Sequence, residues 1–153
     1  MSFKEFIKDF LAESLEILER LDQDFVAMES APSDSTRLES IYGGIHTIKG
    51  SAGFFAFNKL ETVAHSGENI LSDLTDGKLE ITPEITTALL RMVDAIREML
   101  AEVERSGNDG EKEYPEVIAT LTALRKGETP GPGPDPEPEP EPGPDAAELP
   151  AVD

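Results

Sequence analysis

Apolar residues before residue 126 recur three and four positions apart, and no segment alternates as a strand would. The first predicted helix runs from Ser2 to about Ser30, with the stripe Phe3, Phe6/Ile7, Phe10/Leu11, Leu15, Leu18, Leu21, Phe25 and Met28. Ser2 and Glu5 form a capping-box pattern at its start. Pro32 and Ser33-Asp34-Ser35 break this helix and offer an N-cap to a second, roughly 35–56, whose stripe is Leu38, Ile41, Ile45, Ile48, Ala52 and Phe55. A short turn at Phe57-Asn58 follows, and Asn58 with Glu61 again has the capping-box spacing. The third helix extends to about Asp76 over Leu60, Val63, Ala64, Gly67, Leu71 and Leu74, and Gly77 ends it. Thr82-Pro83-Glu84 starts a fourth, with proline where its missing N–H is harmless, and Gly107 stops it. Its buried face is Ile85, Leu89, Met92, Ile96, Leu100 and Val103. Val117, Ile118, Leu121 and Leu124 mark a weaker fifth segment, Pro115 to Lys126.

Four long amphipathic helices with short connections predict an all-α fold, an antiparallel up-down-up-down four-helix bundle with the fifth, C-terminal helix capping it or packing beside it. Residues 1–126 form this domain. From 127 to 153 the chain changes character, with nine prolines and no long apolar run. Such a segment is expected to be a disordered acidic Pro-rich linker, extended by its own charge and reaching about 80 Å at full stretch. A tether ordinarily joins two things, so the parent polypeptide is expected to continue past Asp153.

Charge narrows the partners. Of 32 acidic and 13 basic side chains, eight acidic ones and no basic one fall in 127–153, leaving 24 against 13 in the bundle. That surface repels nucleic acid and anionic lipid, so neither is an expected partner. There are no cysteines, which excludes disulfides, thiolate metal sites and cysteine nucleophiles. The first ten residues lack the apolar core of a signal peptide, and no stretch approaches a membrane span, so a cytoplasmic location is expected.

Chemistry centres on the two histidines, His46 and His65, which flank one turn. His46 and Glu68 each lie 11 residues from Phe57, and Lys49 and His65 each lie eight, so helix rise places the members of each pair at the same height. Two rungs are predicted across an antiparallel pair, His46 opposite Glu68 and Lys49 opposite His65. A carboxylate on the Nδ1–H of His46 fixes its tautomer and leaves the Nε2 lone pair as nucleophile. Lys49, one turn along, offers a cation to a phosphoryl group on that nitrogen. Gly50 and Gly53, each costing about 1 kcal/mol relative to Ala in a helix interior, leave the neighbouring surface bare for a docking partner. Each feature alone has a plainer explanation: an idle surface histidine, glycines that serve helix packing, one more solvated acid. Their grouping around one histidine favours chemistry.

Two alternatives fall away. Gly44-Ile-His-Thr-Ile-Lys-Gly-Ser51 nearly spells a phosphate-binding loop, but Lys49 precedes Gly50 and no strand leads into it. A metal site from His46, His65, Glu68 and Glu61 lacks the second carboxylate–histidine helix pair usual in bundles, so no metal is expected.

The run Ile45-His46-Thr47-Ile48-Lys49-Gly50-Ser51-Ala52-Gly53-Phe54-Phe55, followed by Leu60, Ala64-His65 and Glu68-Asn69-Ile70-Leu71, resembles the histidine phosphotransfer (HPt) family, most closely the N-terminal domain of CheA-type chemotaxis histidine kinases. The resemblance covers roughly residues 3–105. It implies that His46 is the phosphorylated histidine, that Glu68 orients it, and that Lys49 and His65 belong to the surrounding hydrogen-bond network. It further implies a two-component phosphotransfer function: His46 takes the γ-phosphoryl group of ATP from a kinase ATP-binding domain of the same polypeptide, in trans within a dimer, and passes it to CheY- or CheB-type response regulators. ATP and Mg²⁺ would belong to those partners. The chain carries no ATP-binding motif and needs no cofactor of its own, so it is expected to be a phosphoryl carrier, not an enzyme in isolation. The competing reading is an HPt relay domain of a hybrid kinase, loaded from a receiver aspartate. The acidic-proline tether argues for the chemotaxis type.

Overall fold

Ser2 opens the first helix as the sequence requires. Its hydroxyl accepts from the Glu5 N–H, and the Glu5 carboxylate accepts from the Ser2 N–H in return. In the computed structural model, which describes residues 2–32 and 34–127, five helices follow: α1 Phe3–Ser30, α2 Ser35–Phe54, α3 Asn58–Thr75, α4 Pro83–Ser106 and α5 Pro115–Arg125. The expected tail lies outside the described residues from position 128 onward. No strand occurs among the described residues, and none of their helices is long and apolar enough to cross a membrane.

α1 and α3 each pack against both α2 and α4, and α5 lies against α3 and α4. Neighbours in the four-helix bundle are antiparallel. Between α1 and α2, the Asp24 carboxylate accepts from Arg37 at 3.0 Å, while Ile17 reaches Gly44 farther along. Leu18, Leu21, Ile41, Ile45, Leu60, Leu89 and Ile96 are fully buried in one core, at about 1.5–3 kcal/mol each.

The predicted stripes of α2, α3 and α4 are buried throughout, except for half-buried Phe55. α1 differs. Phe3, Phe6 and Leu15 are exposed, and Ile17 and Ser14 take inward positions, because close contact with α2, Ile17 against Gly44, sets the phase of α1. Two glycines permit close helix approach. A Cβ on Gly44 would stand 2.8 Å from Ile17 Cγ2, and one on Gly67 would stand 2.0 Å from Met92 Sδ.

The α2–α3 turn is tighter than expected, since α2 ends at Phe54 and not near 56. Phe57 N–H bonds to Ala52 C=O at 2.9 Å and Ala56 N–H to Gly53 C=O at 3.1 Å, a Schellman closure. Ala56 takes the left-handed position usually given to glycine, at φ 61°. The expected Asn58–Glu61 capping box does not form. Buried Phe57 is the N-cap and has no side-chain acceptor. Instead the Asp109 carboxylate, from the α4–α5 loop, accepts from the N–H groups of Lys59 and Leu60 at 2.9 and 3.0 Å.

Candidate functional site

The tight turn brings α2 and α3 together as an antiparallel pair with Phe57 at the fold line. The consequence for side chains is that residues equidistant from Phe57 meet. A Cβ on Gly53 would sit 3.1 Å from Glu61 Oε2, and, farther from the turn, His46 Nδ1 hydrogen-bonds Glu68 Oε2. An ionised carboxylate only accepts, so the ring proton is on Nδ1 and the Nε2 lone pair is left over.

Glu68 is 7% exposed, whereas the His46 side chain is 59% exposed. The acid is anchored in the helix interface and the imidazole stands at the surface. Lys49 Nζ donates to the other oxygen, Oε1, at 2.7 Å. Burial pushes the Glu68 carboxyl up, but the hydrogen bonds from Lys49 and His46 and the positive charge of Lys49 outweigh it and hold the group below its ordinary value. On the opposite side of the imidazole, Tyr42 stacks with it, ring centroids 5.9 Å apart and planes within 11°. The ring is thus held directly by two side chains, Glu68 and Tyr42, with Lys49 bracing the acid, and it keeps one nitrogen clear.

Gly43 and Gly50 border His46 on the outer surface of α2, and a Cβ at either would meet nothing within 4 Å. Their role is not internal packing, unlike that of Gly44. Gly53 is also exposed but faces Glu61.

The first rung therefore forms as the residue count predicts, and the second does not. Lys49 joins Glu68, and the exposed His65 ring makes no hydrogen bond among the described residues. The structure places His65 apart from the His46–Glu68–Lys49 contacts for two reasons. Three residues before Glu68, His65 is turned about 60° around α3 toward solvent, and a buried carboxylate is the stronger partner for an ammonium. Tyr42 and Asp109 acquire positions that sequence reading left without a role. The Tyr42–His46 spacing of one turn was a signal for stacking. Asp109, some 50 residues from the amides it caps, left none.

A helical bundle that presents one exposed histidine, held at Nδ1 by a buried carboxylate and bordered by bare glycines, is the architecture of a phosphoryl carrier. The chain belongs to the Hpt domain family, which residues 5–105 match. It is 36% identical over 125 residues to the sensor histidine kinase CheAY of Helicobacter pylori, an alignment covering 79% of this chain but 16% of that protein. The chain thus spans about a sixth of that curated relative's length. Among solved structures, the CheA phosphotransferase domain from Thermotoga maritima superposes with a TM-score of 0.65 at 27% identity, covering 68% of this chain and 99% of that one. The phosphorylated P1 domain of CheA3, solved in complex with CheY6 from R. sphaeroides, gives a TM-score of 0.75 over 80% of this chain and 96% of that one. At 20% identity, that likeness is one of fold.

Proposed function

We propose that this chain is the phosphotransfer domain of a CheA-type chemotaxis histidine kinase and works in the cytoplasm. His46 Nε2 attacks the γ-phosphorus of ATP held, with Mg²⁺, on a kinase domain of the same polypeptide, acting in trans within a dimer. The P–O bond to ADP breaks and an N–P bond forms. The labile phosphoramidate then yields its phosphoryl group to an aspartate of a CheY- or CheB-type regulator: the carboxylate oxygen attacks phosphorus, the N–P bond breaks, and the imidazole recovers its lone pair. Glu68 holds the Nδ1 proton throughout and stabilises positive charge as it develops on the ring. When the phosphoryl group is present, Lys49 lies one turn away as a cation for its oxygens.

The observation that carries this reading is the His46–Glu68 pair, with the acid buried and the ring exposed. The relatives named CheA and CheAY favour the chemotaxis kinase over a hybrid-kinase relay, and a domain of this fold has been solved phosphorylated and bound to CheY6. Incubation with a CheA ATP-binding domain and γ-labelled ATP tests it. Acid-labile, base-stable label is expected on the wild-type chain and absent from His46→Gln. Retained label on the variant overturns the assignment.

A further inference from the structure

Around α2, Gly43, Thr47, Gly50 and Phe54 fall within an arc of about 60° on the solvent side, with His46 and Gly53 bordering it toward α3. Three of those four positions carry glycine or a small side chain. Phe54 is the exception, 77% exposed and the one exposed large apolar side chain on α2 among the described residues. It lies eight residues from His46, about 12 Å along the axis. It does not stand alone. Phe54 packs edge-on against Phe55 at 5.1 Å between centroids, and Phe55 against Phe3 of α1 at 5.5 Å. Phe3 is itself 62% exposed. An aromatic rail thus runs from the histidine-bearing helix onto the start of α1.

Resting on the phosphotransfer reading, we propose that Phe54 is the apolar anchor by which the response regulator docks beside phosphorylated His46. A stable interface covers about 800 Å² on each partner, a disc roughly 30 Å across. A footprint of that size centred on His46 Nε2 extends over Phe54, about 12 Å away along the axis. Within that footprint the glycines let the partner's backbone come close but contribute no apolar contact. In interfaces a few large side chains packed into partner pockets carry most of the binding energy, and Phe54 is the one exposed large apolar side chain that α2 offers among the described residues. The choice between the two partners follows from tethering. A kinase domain on the same polypeptide is supplied at high effective concentration, whereas a regulator arrives by diffusion and is held only by contacts made on arrival.

The test is transfer from the phosphorylated chain to a CheY-type regulator over a range of regulator concentrations, comparing wild type, Phe54→Ala and Phe54→Leu. Phe54→Ala is expected to raise KM roughly tenfold or more with little change in kcat, and Phe54→Leu to recover most of the loss. The exposed side chain leaves no cavity, so the thermal midpoint serves as a fold control. An unchanged KM overturns the anchor. So does a variant that labels more slowly with the kinase domain while its KM for the regulator holds, since the rail then serves the kinase. Failure of the wild-type chain to take label at all is a different outcome: it overturns the phosphotransfer reading, and the anchor with it.

Discussion

Lys49 donates to Glu68 Oε1 at 2.7 Å from the same helix that carries His46, so the carboxylate that orients the imidazole is itself held from the neighbouring turn. One buried acid takes two donors on its two oxygens, and the ring, the ammonium and the acid form a single unit across α2 and α3.

Glu68→Gln is expected to slow labelling of His46 by on the order of 10- to 100-fold. The amide has one acceptor oxygen where the acid has two, and no charge to balance a cationic ring. The fold should persist, since the replacement has the same shape. Initial labelling rates read beside a circular dichroism melt separate the two effects.

The same acid makes stability depend on pH. Its folded pKa lies below the ordinary 4.5, so its contribution is complete above that value and is lost as pH falls through the folded pKa. Thermal midpoints of wild type and Glu68→Gln should differ at about pH 5 and converge as pH falls further, through the folded pKa of the carboxyl. A gap that widens below about pH 5 would have the wrong sign for this carboxylate.

His65→Ala is expected to label at a rate within about twofold of wild type, because the exposed ring makes no hydrogen bond among the described residues and surface substitutions of this kind have small effects. A loss comparable to that of Glu68→Gln would show that His65 enters the site during the reaction.

Gly67→Ala and Gly43→Ala should move stability in opposite directions. The first places a methyl group 2.0 Å from the sulfur of fully buried Met92 and is expected to cost about 1–3 kcal/mol by overpacking. The second meets only solvent and should gain up to about 1 kcal/mol of helix propensity. Urea midpoints of the two variants check both signs.

Asp109→Ala removes the acceptor for the first amides of α3 and should cost about 1 kcal/mol, the usual worth of a helix cap. The local signature is faster hydrogen exchange at Lys59 and Leu60, with the amides around His46 unchanged.

The helices themselves were legible in the chain, because a 3.6-residue period, a Ser2–Glu5 box, a Thr82-Pro83 start and a glycine stop act through neighbours in sequence. So was the height of the site. His46 and Glu68 are equidistant from Phe57, and in an antiparallel pair the axial position of a residue depends only on its count from the turn. What the count leaves open is rotation about each helix axis. Close approaches such as Ile17 against Gly44 and Met92 against Gly67 set that phase, and they involve residues far apart in the chain. Hence Lys49 reaching Glu68 instead of His65, Ile17 buried where Leu15 was expected, and Asp109 capping a helix that begins some 50 residues earlier were decided only by the tertiary structure. Height along a helix is local arithmetic; the direction in which a side chain points is fixed by what packs against its helix.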